Sequence, residues 1–404
     1  MLHVITPSAM PLLLYIYLAT EILAPFLAAL VILNAILFLG KLVPMLQGIF
    51  SLGIGGAAFI RLLAYMSPKL LLFSIPMASM MGVIISFTRL TSDNEIIALK
   101  SAGISLYRML PPVIVVALAT STLTGLASTR FIPSGTVAMK KLLFQVAKEK
   151  IDKGLREKQF SQSLSDVVLY ADHVDPATND WEGIYISDLR DRKTPLTVVA
   201  RKGKLQANPA RMQITLELTD GTMHRAIDDV TQTIRFNHYE LNVPVQTPHS
   251  VLGESAGGPD KGSMTQHELL ARAAELGTDN SRGASMLIEF HKRLVLPAGC
   301  FLLTLLGLPL ALTDRPGQRP FGLPLGLGLF ILYYVLITGA KALSENNVLP
   351  VGPTMWAPNL LFGGLMLIMM HRAAREKNSG LAESVFDRLG RLGTRLPFIR
   401  GKGR

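Results

Sequence analysis

The sequence predicts a membrane protein with six transmembrane helices and an inserted all-β, jellyroll-like domain between the third helix and the fourth. Hydrophobic residues make up 49% of the 404 residues and charged residues only 17%, against about 25% charged in a typical soluble domain. The predicted spans are six stretches of 19 to 25 residues without Asp, Glu, Lys or Arg, since about 20 apolar residues cross a bilayer core. One long, more polar segment, residues 130–290, separates the third stretch from the fourth.

The six uncharged stretches define the predicted spans: Ile22–Gly40, Leu70–Thr88, Met109–Thr129, Leu294–Thr313, Pro320–Ala340 and Asn346–Met370. Prolines 350, 353 and 358 interrupt the last stretch, so its helix is predicted to begin near Trp356. The predicted domains are residues 1–129 with three spans, 130–290 as the inserted domain, 291–371 with three spans, and 372–404 as a basic tail.

The distribution of Lys and Arg predicts the orientation of the spans. If the N-terminus is cytoplasmic, the short loops and the tail on the cytoplasmic side carry 14 of these residues, nine of them in the tail, and the short loops on the opposite side carry only Lys41, Arg61, Lys69 and Lys341. We therefore expect both termini in the cytoplasm and the inserted domain outside. A basic tail directly after a span is typical of contact with membrane lipids, so nucleic acid is not an expected partner.

The inserted segment is predicted to begin with a helix at Val137–Lys153 and to continue as short strands. The strand-like runs are Val167–Ala171, Ile184–Ser187, Pro195–Arg201, Met212–Thr219, Thr222–Ala226 and Thr233–Val243. Asp220–Gly221 is a type I′ hairpin signal, and several short strands with turns favour a sandwich or jelly roll. Val251–Ser263 is predicted to be a flexible linker, and Thr265–Leu276 an amphipathic helix.

Motifs for catalysis are missing from the sequence. There is no phosphate-binding G-x-x-x-x-G-K-[ST] and no H-E-x-x-H; His267–Glu268 matches only the start of the latter and is interpreted as part of a solvated helix. Ser134–Gly135, which follows Pro133, is interpreted as a turn. The single cysteine, Cys300, permits neither an internal disulfide nor a thiolate metal cluster. We expect no catalytic residues, no metal and no cofactor, and ATP hydrolysis, if any, by a partner.

One short segment between the second and third spans is a candidate docking helix. Ser92 and Glu95 form an S-x-x-E capping box pattern, and Gly103 is a suitable C-terminal residue, which together predict a helix of about ten residues within 92–103. A helix of this kind lets a permease dock on a separate ATPase; the alternative is a turn helix resting on lipid headgroups. The candidate docking residues are Ser92, Asp93, Glu95, Ile96, Leu99, Lys100 and Gly103.

The segment SDNEIIALKSAGIS, after FSIPMASMMGVIISFTRL, resembles the LptF/LptG (YjgP/YjgQ) permease family of the lipopolysaccharide export ABC transporter. EFHKRLVLPAGCFLLTLLGLPLAL is similar to the start of the family's fourth span, and the likeness covers almost the whole chain. The resemblance implies a paralogous LptF or LptG partner, two copies of the ATPase LptB, and the periplasmic bridge protein LptC. Lipopolysaccharide would leave the outer leaflet of the inner membrane through a cavity framed by spans one and five, on its way to the outer membrane.

The resemblance also implies roles for individual residues. Glu95 matches the acidic residue that contacts the ATPase, and Ile96, Leu99 and Gly103 would form an apolar plug beside it. Lys41 and Lys341 close spans one and five, where a snorkelling lysine reaches lipid A phosphates or simply anchors the helix at the interface. Candidates for the acyl-chain path, or alternatively for plain sandwich core, are Val168, Tyr170, Ile184, Ile186, Val198, Ile214, Leu216 and Phe236.

Two alternatives to an LptF-type subunit stay open. The chain resembles LptF more than LptG at the sequence GKLV of residues 40–43, at Lys341 and in its basic tail, yet the two paralogues share one fold. A mechanotransmission scaffold that moves no substrate is the other alternative, although such proteins usually have four spans.

Overall fold

The structure, a computed structural model, describes residues 10–52, 55–154, 158–164, 167–175, 180–188, 196–208, 213–227, 230–244, 261–277, 280–313, 321–346 and 348–375. Its helices are α1 (Met10–Leu52), α2 (Gly56–Ser92), α3 (Glu95–Ser101), α4 (Leu106–Leu126), α5 (Ile132–Gly154), α6 (Gln266–Leu276), α7 (Ser281–Ala311), α8 (Gly322–Glu345) and α9 (Val351–Ala374). Its strands are β1 (Ser161–Leu164), β2 (Val167–Val174), β3 (Asp180–Asp188), β4 (Leu196–Asn208), β5 (Gln213–Ile227) and β6 (Val230–Pro244).

Six helical segments in the described part are long and apolar enough to cross a membrane, which confirms the predicted number of spans. The sixth helix differs from the prediction because it begins at Val351 and not near Trp356. Pro350 is its N-cap residue, and Pro353 lies in its first turn. The backbone N–H groups of a first helical turn have no helical partner, so proline costs no hydrogen bond there.

The third span runs on into the inserted segment as helix. A π-helical turn at Ala127–Phe131 joins α4 to α5 directly, so the turn predicted at Ser134–Gly135 is wrong. Irregular helical turns of this kind are found where a proline or a tight contact disturbs the backbone hydrogen bonds of a helix. Pro133 lies two residues after this turn. A Cβ on Gly135 would meet the carbonyl oxygen of Tyr65 at 2.8 Å, which shows that α5 packs closely on α2.

The chain divides into two compact units. The first comprises Met1–Leu39, Ser67–Pro133 and Lys261–Arg404, and the second comprises Gly40–Met66 and Ser134–Asp260. The tail beyond residue 375 and linker residues 251–260, both of which the sequence analysis discussed, lie outside the described residues. The predicted domain boundaries stay predictions.

The first unit is a helical bundle with an apolar interior and a few buried polar contacts. Its largest core cluster includes Leu303, Leu306 and Phe362, all at most 1% exposed. The buried hydroxyl groups of Ser79 and Thr304 lie 2.7 Å apart, within hydrogen-bond distance. Polar groups inside a membrane protein are stabilised only when they find partners of this kind.

The second unit contains one antiparallel sheet with the strands in sequential order, β1 to β6. The predicted all-β domain is therefore confirmed, and each predicted strand run overlaps one of β2 to β6; β1 was not predicted. One face of the sheet forms an apolar core with Phe144 of α5. A smaller cluster packs Leu62 of α2 against Met139 and Leu143 of α5.

A crease, which we define as Asp172, Gly183, Arg201, Asp220 and Asn237, crosses strands β2 to β6. In the described strands the ladder pairs lie on either side of this row but not on it. Gly183 and Asp220 have left-handed φ angles of 62° and 54°. The core-facing side chains change parity at the row: Val198 and Ala200 are buried before it in β4, and Gly203 after it.

The crease corrects the predicted hairpin at Asp220–Gly221. β5 runs straight through this dipeptide and pairs with β4 and β6 on both sides of it. A Cβ on Gly221 would overlap the ring of Phe236 in the neighbouring strand, so the glycine is needed for close packing. The Asp–Gly signal marks left-handed backbone within a strand and not a chain reversal.

Candidate functional site

The candidate site is α3, the short helix between the second and third spans. It contains seven residues, Glu95–Ser101, and begins after Asn94, whose φ angle is 62°. The predicted capping box of Ser92 and Glu95 is wrong, because Ser92 ends α2 and its hydroxyl donates to the carbonyl oxygen of Thr88 at 3.0 Å. The same four-residue pattern fits the end of one helix as well as the start of the next.

The C-terminal end of α3 is built as predicted. Gly103 has a φ angle of +81°, and its N–H donates to the carbonyl oxygen of Lys100 at 2.9 Å. The N–H of Ile104 donates to the carbonyl oxygen of Leu99 at 3.0 Å. These two bonds form a Schellman motif, in which glycine supplies the left-handed residue.

The apolar face of α3 points into the bundle. Ile96 is 3% exposed and belongs to a core cluster with Leu18 and Ile22 of α1 and Phe87 of α2. Leu99 is half-buried and packs against the same cluster. Ile96 was expected to belong to an apolar plug beside Glu95; in the structure its side chain packs inside the bundle and anchors α3 there.

Ile97, which is not among the predicted docking residues, is the large apolar side chain of α3 that is exposed. Half of its surface, 50%, is accessible. It follows Ile96 directly, and successive residues of a helix point about 100° apart. Ile96 and Ile97 are the same residue type at adjacent positions. Only their packing in the folded chain therefore distinguishes the anchor from the exposed side chain.

The acidic end of α3 makes a contact that sequence reasoning missed. The hydroxyl of Tyr17 in α1 donates to Glu95 Oε2 at 2.8 Å. Asp93 is exposed and lies 3.7 Å from Arg89, whose guanidinium is also 3.4 Å from Glu21 of α1. Two carboxylates therefore lie at the N-terminal end of α3, where the helix dipole favours negative charge. An aromatic residue near the end of a span was the sole sequence signal for Tyr17.

The two candidate phosphate-binding lysines belong to different units. Lys41 is exposed on α1, in the second unit. Lys341 is half-buried near the end of α8, in the first unit, and its Nζ lies 3.7 Å from Glu345 Oε1 on the next turn of the same helix.

The candidate acyl-chain residues lie on two faces of the sheet. Ile184, Ile186, Val198 and Leu216 are at most 1% exposed and form the sheet core together with half-buried Phe236. The side chain of Ile214 is outside the described part of the structure.

Val168 and Tyr170 alternate with buried Leu169 and lie on the opposite face. The ring of Tyr170 packs against that of Phe160, with 4.9 Å between the ring centroids and 38° between the ring planes, and Phe160 is 68% exposed. Its hydroxyl donates to Asp172 Oδ1 at 2.9 Å, and this bond raises the pKa of Tyr170. These two candidates are therefore separated by the sheet itself from the other described ones.

Glu268, the acidic residue of the His267–Glu268 pair, has a structural role in α6. Among the described residues no group of three or more His, Cys, Asp or Glu could hold a metal ion. The Glu268 carboxylate accepts the Thr265 N–H at 2.8 Å, and the Glu268 N–H donates to the Thr265 hydroxyl at 3.3 Å. This capping box begins α6 and holds the pKa of Glu268 below its ordinary value.

Comparisons with known proteins agree with this architecture. Residues 16–372 match the family described as "Lipopolysaccharide export system permease LptF/LptG". The chain is 22% identical to the lipopolysaccharide export system permease protein LptF of Escherichia coli (strain K12) over 362 residues, which cover 87% of this chain and 93% of that protein. LptF of Shigella flexneri gives the same values. An uncharacterized protein of Rickettsia prowazekii (strain Madrid E) is 22% identical over 71% of this chain and 78% of its own length.

Proposed function

Because the chain belongs to the family of lipopolysaccharide export system permeases LptF/LptG, we propose that it is the LptF-type permease subunit of an ABC transporter. The chain is a multi-pass inner-membrane protein with six candidate spans. In the proposed reaction it extracts lipopolysaccharide from the outer leaflet and passes it to a periplasmic bridge for delivery to the outer membrane. A paralogous LptG-like subunit completes the permease, an LptB-like ATPase dimer hydrolyses ATP, and an LptC-like protein forms the bridge.

The exposed acidic end of α3 carries this proposal. Ile96 holds the helix to the bundle, while Asp93, Glu95 and Ile97 stand at or near the surface. A carboxylate at a helix N-terminus is well placed to accept charge-assisted hydrogen bonds from an arginine on a partner. Ile97 adds an apolar contact beside the charge. A helix that only rests on headgroups would not place two carboxylates at a surface made of anionic lipids.

The proposed orientation puts α3 on the side of the ATPase. With both termini cytoplasmic, the loop that contains α3 faces the cytoplasm and the sheet faces the periplasm. In the short loops and the tail, 14 Lys and Arg on the cytoplasmic side against four on the opposite side support this arrangement. The positive tail then lies against the anionic inner leaflet.

On the periplasmic side, Lys41 and Lys341 are the proposed contacts for lipid A phosphates. Within the sheet, the face that carries Ile184, Val198 and Phe236 is the proposed path for acyl chains. The first two of these side chains are fully covered by others. An acyl chain therefore reaches Ile184 and Val198 only by replacing part of the core packing. Phe236 is half-buried, so part of its ring is accessible without such a change.

Purification of the tagged protein in detergent from its native host tests the proposal. We expect one paralogue and a soluble ABC ATPase to co-purify with it. Replacing Glu95 with Ala weakens the ATPase interaction, and Glu95→Lys removes it because the charge is reversed. Glu275→Lys, at an exposed position on α6, is the matched control and leaves all partners bound.

The identity of the partners separates the alternatives. A co-purified LptF paralogue would make this chain the LptG-like subunit of the same complex. A protein that emerges alone, or partners that ignore Glu95→Lys, would contradict the docking role of α3 and favour the mechanotransmission scaffold.

A further inference from the structure

The hydrogen bond between Tyr17 and Glu95 connects the first span to the candidate docking helix. Its donor is a phenolic hydroxyl on α1, its acceptor is Oε2 of a carboxylate, and its length is 2.8 Å. Hydrogen bonds to an ionised acceptor are shorter and about twice as strong as neutral ones. Both residues belong to the first unit.

A second set of polar contacts, one turn further along α1, links α1 to α2. The carboxylate of Glu21 lies 3.4 Å from the guanidinium of Arg89, and its backbone carbonyl oxygen accepts the hydroxyl of Ser86 at 2.7 Å. Beside these polar contacts, Leu18 and Ile22 of α1 pack in one cluster with Ile96. α1 is thus attached to both α2 and α3 at this end.

The carboxylate of Glu95 can serve two neighbours at once. Oε2 accepts the Tyr17 hydroxyl, and Oε1 offers further lone pairs to a donor from outside the chain. Of the six candidate spans, α1 has the smallest fraction of its residues buried against the rest of the protein. Each polar contact therefore contributes more to holding α1 in position. A change in the surroundings of Glu95 therefore acts on α1 through one defined bond.

We propose that Tyr17 is a positioning residue that couples α1 to the docking state of α3. This inference rests on the proposed docking of α3 on an ATPase. When a partner cation engages Glu95, the shared carboxylate moves with α3, and the Tyr17 hydroxyl makes the cytoplasmic end of α1 follow. Without that hydroxyl the ATPase still docks and turns over, but α1 is no longer driven by it.

The test compares Tyr17→Phe with Tyr107→Phe in the complex purified from the native host and placed in proteoliposomes that contain lipopolysaccharide. Tyr107 is exposed on α4 and provides a matched loss of one hydroxyl. We expect Tyr17→Phe to retain the ATPase and its hydrolysis rate, while lipopolysaccharide released per ATP falls about tenfold, the size expected when a hydrogen bond to a charged group is lost. Tyr107→Phe leaves this ratio unchanged.

Glu95→Gln separates this inference from the proposed function. Its amide oxygen still accepts the Tyr17 hydroxyl, but the negative charge is gone. We expect weaker ATPase binding with an unchanged amount of lipopolysaccharide released per ATP. A complex indifferent to Glu95→Gln and Glu95→Lys contradicts docking through Glu95. Docking that depends on Glu95, together with an unchanged ratio in Tyr17→Phe, overturns the role of Tyr17 alone.

A distance measurement decides the question if Tyr17→Phe also lowers the yield of the complex. Spin labels are attached at exposed Leu13 of α1 and exposed Ser101 of α3, with the buried Cys300 replaced by Ala. The distribution of distances between the labels is expected to broaden in Tyr17→Phe and not in Tyr107→Phe. Equal distributions in the parent and in Tyr17→Phe would overturn the proposed link.

Discussion

The guanidinium of Arg293 donates to the carbonyl oxygen of Met264 at 2.7 Å and thereby fastens the turn before α6 to α7. A second nitrogen of the same group donates to the carbonyl oxygen of Lys261 at 2.8 Å. The side chain is only 2% exposed, and its Nε lies 3.4 Å from Glu289 Oε1. A buried cation of this kind is stable only because carbonyl oxygens and a carboxylate replace the water that it lost.

Arg293→Ala is predicted to destabilise the protein by about 3 kcal/mol, since truncation leaves two carbonyl oxygens without their donor and removes the cation that Glu289 contacts in addition to Lys292. Arg293→Lys retains the charge but not the forked donor geometry and is expected to be intermediate. Thermal unfolding of the purified protein in detergent measures both. Arg282→Ala, at an exposed position on the same helix, is the control and changes stability by less than about 0.5 kcal/mol; an equally small effect of Arg293→Ala would contradict the prediction.

The capping box of α6 predicts a pH dependence. The pKa of Glu268 is lowered from its ordinary value of 4.5, first by the backbone N–H of Thr265 and second by the Thr265 side chain. A group with a lowered folded-state pKa stabilises above its unfolded pKa, and that stabilisation is lost as the pH falls through the folded-state value. Hydrogen-exchange protection of residues 266–276 is therefore expected to decrease as the pH falls below the ordinary glutamate value of 4.5, after correction for the intrinsic exchange rate.

Two variants identify Glu268 as the origin of that pH dependence. Glu268→Gln removes the titrating group, so protection of α6 no longer responds to acid in this range. Thr265→Val removes the hydroxyl but retains the backbone N–H that makes the larger contribution, and part of the response is kept. A Glu268→Gln protein that loses protection at the same pH as the parent would assign the effect to another group.

Gly103→Ala is predicted to destabilise α3 through the backbone alone. The φ angle of Gly103 is +81°, and no atom lies within 4 Å of the position that a Cβ would occupy. The left-handed conformation costs a residue with a Cβ about 1–2 kcal/mol, which we expect as increased hydrogen exchange in residues 95–101. Gly328→Ala is the matched control, because Gly328 also has open space but lies inside α8; there alanine is expected to stabilise by about 0.5–1 kcal/mol. Equal effects of the two substitutions would contradict the backbone explanation.

Short motifs in the sequence predicted the backbone conformation at their own positions correctly. They were less reliable for the structural element in which that conformation occurs. Gly103 was expected to end a helix, and it does so because a left-handed residue is needed there whatever surrounds it. Asp220 also has left-handed backbone, as its Asp–Gly pair predicts. Pairing with β4 and β6 on either side nevertheless keeps β5 extended, so tertiary structure decided what the dipeptide does.

Contacts between distant residues could not be predicted from one sequence. Tyr17 and Glu95 are separated by 78 positions, and no periodicity relates a phenol in one helix to a carboxylate in another. The burial of Ile96 beside the exposure of Ile97 has the same cause, because only the packing of α1 and α2 determines which face of α3 is covered. The six spans were predictable because the bilayer imposes a length on every helix that crosses it.

The crease predicts how the sheet tolerates substitutions. Asp220 has a φ angle of 54°, a conformation that Asp and Asn adopt more readily than other residues with a Cβ. Asp220→Asn is therefore expected to leave stability nearly unchanged, whereas Asp220→Val loses about 1–2 kcal/mol because a β-branched residue is strained there. Thermal unfolding of the full chain in detergent measures the difference.

Thr219→Val provides the control for the crease, because Thr219 is exposed in the same strand and has regular ladder partners in Lys202 and His238. Valine is favoured at such a position, so Thr219→Val is expected to change stability by less than about 0.5 kcal/mol. A large loss in both variants would indicate that this part of β5 rejects valine for another reason. A large loss of stability in Asp220→Val alone would be due to the left-handed backbone of the crease. Both positions are exposed in β5, but only Asp220 of the two has a positive φ angle.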